Sequence, residues 1–197
     1  MKLDVTTPDG SPISADAASQ PVGSALRIAP AFIATATDDD TGIETTIEAR
    51  YSADEGRYIV TTIINRAIRD DFDQAALRRT APQTILQSAI PHCIALQLED
   101  DPDAAWITVA DLTATEGRII PEWMATAVVK RTAKHERMDA IEILYGTAAL
   151  AGLPPVKAVQ VELNVPHRTA SDWIKKARNA GRLEGMSYLV GRQAESN

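Results

Sequence analysis

The chain has 197 residues, of which 45% are hydrophobic and 24% charged, a composition that is ordinary for a globular protein and excludes bulk disorder. It has no run of about 18 apolar residues and no secretory signal at its N-terminus, so we expect a cytoplasmic protein without membrane contact. The single cysteine, Cys93, excludes an internal disulfide, and the three histidines share no metal-ligand spacing with it. We therefore expect no metal ion and no cofactor.

The net charge of −7 is unevenly distributed along the chain. Residues 1–117 carry 8 Lys and Arg against 19 Asp and Glu, a net charge of −11, whereas residues 118–197 carry 12 against 8, a net charge of +4. Basic charge within about a Debye length of phosphates dominates the local interaction with nucleic acid. We therefore place a domain boundary near residue 117, between an acidic part and a basic end.

The first predicted elements are a leader and short strands. Residues 1–24 are rich in Ser, Asp, Ala, Pro and Gly, which predicts a flexible leader. Residues 26–37 predict a strand that Pro30 interrupts, as at a sheet edge or a bulge. Residues 43–51 and 57–66 are rich in Ile, Thr, Val and Tyr and flank a turn, so they predict a β-hairpin.

Mixed short elements follow the hairpin. Asp73 is expected to cap a short helix. Residues 83–98 have apolar side chains at helical spacing, which Pro91 interrupts, and Cys93 is expected to be buried among them. The acidic run 99–103 predicts a solvated loop, and residues 106–112 predict one further short apolar element.

Beyond residue 117 the apolar residues recur at helical spacing. Pro121 is acceptable in a first helical turn, and Trp123, Val128 and Val129 are placed to face a core. A further helix is predicted over residues 136–150, and it leads into the C-terminal segment.

The segment 154–183 has the apolar spacing of two packed helices. Val156, Val159 and Leu163 lie three and four residues apart and share one helix face. Asn164 follows, and asparagine tolerates the left-handed conformation that ends a helix.

The second helix is predicted over about residues 166–180, after Val165 turns back into the core. Pro166 suits its first turn, and its apolar stripe consists of Ala170, Trp173, Ile174 and Ala177. Its other face, with the residues that follow, carries side chains that form hydrogen bonds: His167, Arg168, Thr169, Ser171, Asp172, Lys175, Lys176, Arg178 and Arg182. Such a face suits a DNA groove, with Arg168 at base edges and Lys176 and Arg178 at phosphates. After this helix, residues 182–190 predict a short strand or wing.

These residues resemble the helix-turn-helix domains of bacterial and phage transcriptional regulators, in a form found at the C-terminus of many proteins of high-GC bacteria. The residues that match are Lys157–Val159, Leu163–Pro166, Thr169–Ala170–Ser171 and Trp173–Arg178. Asn164 stands at the position of the usual turn glycine. The resemblance implies that the second helix docks in the major groove of double-stranded DNA, and it implies nothing about residues 1–117.

The predicted fold class is α+β, in three parts. Residues 1–24 form the leader, residues 25–117 an acidic α+β domain with the β-hairpin and helices, and residues 118–197 an all-α domain with the helix-turn-helix over about residues 154–183.

Our first functional hypothesis is a DNA-binding transcriptional regulator. Its acidic domain would contact a protein partner or form a homodimer, and a dimer places two recognition helices about 34 Å apart on a two-fold operator. We find no catalytic signature, because Ser24 near Arg27 lacks the pattern of an invertase nucleophile and no phosphate-binding glycine loop occurs. The alternative is a non-catalytic protein-interaction or phage assembly component that oligomerises through its helical end, since many helical hairpins never touch nucleic acid.

Overall fold

The structure is a computed structural model that describes residues 1–79, 81–98, 104–130 and 134–188, and of residues 134–136 the backbone only. The predicted loop 99–103 lies outside the described residues. The strands are β1 (Lys2–Thr6), β2 (Gln20–Val22), β3 (Leu26–Ile28), β4 (Ala31–Asp38), β5 (Ile43–Ser52), β6 (Arg57–Ala67), β7 (Ile94–Leu96) and β8 (Ile107–Thr108). The helices are α1 (Gln74–Leu77), α2 (Pro82–Cys93), α3 (Val109–Glu116), α4 (Glu122–Lys130), α5 (Lys134–Leu150), α6 (Pro155–Leu163) and α7 (His167–Asn179). The mixed α+β class is confirmed.

Two antiparallel sheets form the N-terminal part of the molecule. The first has the strand order β1-β4-β5-β6 and the second the order β2-β3-β7-β8. The predicted hairpin is confirmed as β5 and β6, which pair from Ile43 with Ala67 to Ser52 with Arg57. Pro30 lies between β3 and β4, so it separates strands of different sheets and marks neither an edge strand nor a bulge.

The expectation of a flexible leader over residues 1–24 was wrong. β1 pairs with β4 along its whole length, and β2 pairs with β3. Val5 and Val22 are buried in the core. The composition of this segment is that of a loop, but main-chain hydrogen bonds to neighbouring strands and a few buried small side chains hold it in place. The sequence of residues 1–24 does not indicate that β4 and β3 are available to pair with it.

The first two helices follow their predicted chemistry. The Asp73 carboxylate accepts a hydrogen bond from the main-chain N–H of Ala75 at 2.7 Å, which confirms the cap. α2 continues through Pro91 to Cys93 and passes directly into β7. Cys93 is buried as expected, and its burial raises the pKa of the thiol well above the usual range.

The buried face of α4 differs from the prediction. Val128 is buried, together with Met124 and Ala125, but Trp123 is 55% and Val129 47% exposed. The three buried residues lie one and four positions apart, which places them on the single face that α4 turns to its neighbours α5 and α6. Trp123 lies on the opposite side of the helix, and Val129 lies at the edge of the buried face.

α5 is the central element of the fold. Every residue from Ala140 to Ala151 is buried, which is typical of a helix enclosed on all sides. A Cβ atom on Gly146 would lie 2.5 Å from Leu26 of β3 and 2.4 Å from Met186, so the missing side chain permits close packing. Of the described helices, none has both the length and the apolar character needed to cross a membrane.

One apolar cluster extends across the predicted boundary near residue 117. It includes Val5 and Phe32 from the first sheet, Leu144 from α5 and Ile174 from α7. α3 does end at the boundary, where Gly117 adopts a left-handed conformation with φ 70°. The described residues nevertheless share one core on both sides of it.

The segment after α7 forms no strand within the part of the predicted wing that is described, residues 182–188. Leu183 and Met186 are instead buried in the shared core. The main-chain N–H of Ser187 donates a hydrogen bond of 3.1 Å to the carbonyl of Gly56 in the β5–β6 turn. This segment therefore connects the helices to the first sheet.

Candidate nucleic-acid interface

A three-residue turn joins α6 to α7. Asn164 has φ 48° and ψ 50°, and it is the only described residue other than glycine with a positive φ. The N–H of Val165 donates to the carbonyl of Gln160 at 3.2 Å, and the Val165 side chain packs on the core. The predicted left-handed turn is confirmed. Pro166 precedes the helix as its N-cap, with φ −61° and ψ 150°, rather than lying in its first turn.

The buried faces of α6 and α7 have the predicted spacing. Val159 and Leu163 of α6 are buried, and the third predicted residue, Val156, is half-buried against the core. On α7, Ala170, Ile174 and Ala177 are buried, and the two alanines have no exposed surface. Their small side chains permit α7 to pack closely on the core. Trp173 was predicted in this stripe, but it is half-buried at the edge of it.

The rest of α7 faces outward and carries most of the predicted site. Of the predicted residues, His167, Arg168, Asp172, Lys175, Lys176 and Arg178 are exposed, and Thr169 and Ser171 are half-buried. The N-cap Pro166 provides no side-chain acceptor to the first-turn N–H groups of α7. Free N–H groups and the helix dipole make this end of α7 electropositive.

Five of these side chains have partners. The Ser171 hydroxyl and His167 Nδ1 lie 3.5 Å apart, at the limit of a hydrogen bond. Lys176 Nζ lies 2.7 Å from the Asp172 carboxylate, one helical turn earlier. Arg178 lies over the ring of Tyr145 on α5, with 5.8 Å from guanidinium carbon to ring centroid, and donates a hydrogen bond of 3.2 Å to its hydroxyl. The Lys176 pair is more than half exposed, so it stabilises the chain by at most about 1 kcal/mol and leaves the lysine able to bind other anions.

Arg182 does not belong to this outward face, and we correct its assignment. Its guanidinium Nη1 lies 3.0 Å from Asp139 and 3.2 Å from Glu142, both on α5, and it also donates to the hydroxyl of Ser24. Its side chain is only 21% exposed. Arg182 follows the C-terminus of α7 and turns inward, where it pairs with two carboxylates.

Glu142 is the centre of that ion-pair cluster, and the sequence reasoning missed it. The residue is completely buried, and its carboxylate accepts hydrogen bonds from the Ser24 N–H, from the Ser24 hydroxyl at 2.8 Å and from the Ala25 N–H at 2.8 Å. A signal was available, because Glu142 is the only charged residue in the apolar run 140–153. A buried carboxylate of this kind requires a partner.

A groove between α5 and α7 was also missed. It consists of two adjoining cavities of about 510 and 570 Å³, which share Arg137, Trp173 and Lys176 and which we call the α5–α7 groove. Arg137 lies over the Trp173 ring, with 5.2 Å from guanidinium carbon to centroid. The remaining lining residues are Met138, Ile141, Arg168, Thr169, Asp172, Asn179 and Ala180. No local spacing in the sequence pairs Arg137 with Trp173.

The described residues contain no group of three or more His, Cys, Asp or Glu that could hold a metal ion. The α7 surface offers hydrogen-bonding groups and positive charge. No protein-family model and no curated protein matches the chain, and no solved structure matches its fold.

Proposed function

We propose that this chain is a sequence-specific double-stranded DNA-binding protein that regulates transcription, and that α7 reads the major groove. The observation that carries the proposal is the division of α7 into two faces after a left-handed turn. One face is buried through Ala170, Ile174 and Ala177, and the other presents cations and hydrogen-bonding groups to solvent. In this reading α6 and α7 are a helix-turn-helix unit, and residues 118–197 are the DNA-binding part.

The dimensions of α7 support this reading. Its 13 residues give a helix about 20 Å long. The major groove of B-DNA is about 12 Å wide and accepts one α-helix, whose N-terminal residues usually contact the base edges. Arg168 lies in the first turn and is exposed, and no ion pair involving it occurs among the described residues. We therefore assign Arg168 to base edges.

The other cations suit the phosphates. Lys175 and Lys176 are exposed on the middle of α7, and the first-turn N–H groups add a partial positive charge. Contacts of this kind set the position of the protein on DNA without reading sequence. The acidic α+β part, in this proposal, contacts a protein partner or forms a homodimer on a two-fold operator.

The test is selection of duplexes by the full chain from a random pool, followed by titration of the selected duplex and a scrambled one over a salt series. We expect Arg168→Ala to weaken binding of the selected duplex about 10- to 100-fold and to relax its preferred sequence, because a bidentate base contact is lost. Lys176→Ala should weaken both duplexes alike and reduce the slope of log K against log salt by about 1.

The matched control is Arg66→Gln, a charge removal at a remote exposed side chain on β6. It should leave the preferred sequence and the salt slope unchanged. Absence of binding by the full chain at low salt, or binding that does not respond to salt, would contradict the proposal. That result would favour the alternative of a non-catalytic interaction or assembly component.

A further inference from the structure

The α5–α7 groove is positively charged, and part of this charge comes from Arg137 on α5 rather than from α7. Three cations, Arg137, Arg168 and Lys176, line it against one carboxylate, Asp172. Asp172 pairs with Lys176 at 2.7 Å, and no ion pair of Arg137 with a carboxylate occurs among the described residues. An anion in this groove would therefore meet uncompensated positive charge.

Arg137 is held in place before any ligand arrives. Its Nε–H donates to the carbonyl of Val128, in the last turn of α4, at 3.3 Å, and its guanidinium lies over the Trp173 ring. A stacked guanidinium keeps its edge donors in a fixed plane, so less conformational entropy is lost when they bind an anion. Planar donors of this kind match the two oxygens of a phosphate.

We propose that the α5–α7 groove binds a phosphodiester of the DNA backbone, with Arg137 as its principal contact. The inference rests on the proposed function and adds α5 as a second DNA-binding element. Thr169, Trp173 and Lys176 lie four and three residues apart on α7, on the side that faces this groove. When a helix lies in the major groove, the sugar-phosphate backbones run along its flanks, and the groove lies on one flank of α7.

The composition of the groove also fits a backbone better than an isolated ion. One cavity is lined by Arg168, Thr169 and Lys176, which supply charge and a hydroxyl. The adjoining cavity is lined by Met138, Ile141 and the Trp173 ring, which supply apolar surface. Arg137 and Lys176 line both cavities, so a phosphate with its neighbouring deoxyribose would place the phosphate on these cations and the sugar on the apolar lining.

The experiment compares the unmodified chain with Arg137→Gln and Arg137→Lys on the selected duplex over a salt series. Arg137→Gln should reduce the slope of log K against log salt by about 0.9, the value for one lost phosphate contact, and leave the preferred sequence unchanged. Arg137→Lys keeps the charge but loses the planar group that lies over Trp173. It should therefore have the salt slope of the unmodified chain and an affinity between those of the unmodified chain and Arg137→Gln. Arg66→Gln is again the control, and it should change neither the salt slope nor the preferred sequence.

The outcomes separate this inference from the proposed function. An unchanged slope in Arg137→Gln, with Arg168→Ala still altering the preferred sequence, would overturn the role of Arg137 and leave DNA binding intact. Absence of DNA binding by the unmodified chain would overturn both. In a further titration with inorganic phosphate at constant ionic strength, saturation below about 1 mM that is lost in Arg137→Gln would assign the groove to a free anion instead of the backbone.

Discussion

At the scale of single residues, Asn164 sets the direction in which α7 leaves α6. Its left-handed backbone places Val165 on the core. The next helix, α7, begins two residues after Val165, at His167. For a residue with a Cβ atom this conformation costs roughly 1–2 kcal/mol, and asparagine reduces the cost through local hydrogen bonding. The residue therefore substitutes for the glycine common at such turns.

We expect Asn164→Ala to lower the free energy of unfolding by about 1 kcal/mol and Asn164→Gly to leave it unchanged or raise it slightly. Urea unfolding of the full chain measures both changes. Asn179→Ala, at the exposed end of α7, is the control and should change stability by less than about 0.5 kcal/mol. Equal stability of Asn164→Ala and the unmodified chain would show that the turn does not require a left-handed residue.

At the scale of elements, α5 is held to the N-terminal part by the buried Glu142. The carboxylate accepts hydrogen bonds from the turn between β2 and β3, and Arg182 completes the cluster from beyond α7. Gly23 is part of this arrangement, because a Cβ atom there would lie 2.3 Å from a Glu142 oxygen. The cluster therefore joins three segments that are far apart in the chain.

We expect Glu142→Ala to lower the free energy of unfolding by about 3–5 kcal/mol, because the Ser24 and Ala25 N–H groups lose their acceptor and Arg182 loses a carboxylate. Arg182→Ala should also destabilise the chain, and the double variant should lose less than the sum of the single changes. Glu184→Gln, an exposed carboxylate nearby, serves as the control. A loss below about 0.5 kcal/mol in Glu142→Ala would mean that the cluster contributes nothing to stability.

At the scale of the whole molecule, the sheets and the helices depend on one another. Leu26 of β3 and Met186 both pack against Gly146 of α5. The Tyr51 hydroxyl on β5 donates to the carbonyl of Gly185, and Ser187 bonds to Gly56. A fragment that lacks the sheets would expose this apolar surface of α5 to water.

We therefore expect residues 118–197, expressed alone, to lack cooperative thermal unfolding, whereas the full chain unfolds in one transition. Near-ultraviolet circular dichroism and the dispersion of amide proton resonances report the difference. A fragment that unfolds cooperatively and binds DNA with the salt slope of the full chain would support two independent domains instead.

Features that depend on residues close together in the chain were predictable from the sequence. The hairpin of β5 and β6, the Asp73 cap, the turn at Asn164 and the two faces of α7 all follow from local spacing and turn chemistry. With them, most of the candidate site was predictable, since eight of its nine residues lie on one helix.

Which distant segments meet was not predictable from the sequence. Residues 2–6 and 20–22 form strands because β4 and β3 offer them hydrogen-bond partners. Arg182 lies outside the candidate interface because it pairs with two carboxylates of α5. Arg137 belongs to the interface because its guanidinium lies over the ring of Trp173 on α7. Contacts between residues separated by tens of positions depend on how whole elements pack, and no local periodicity specifies that packing.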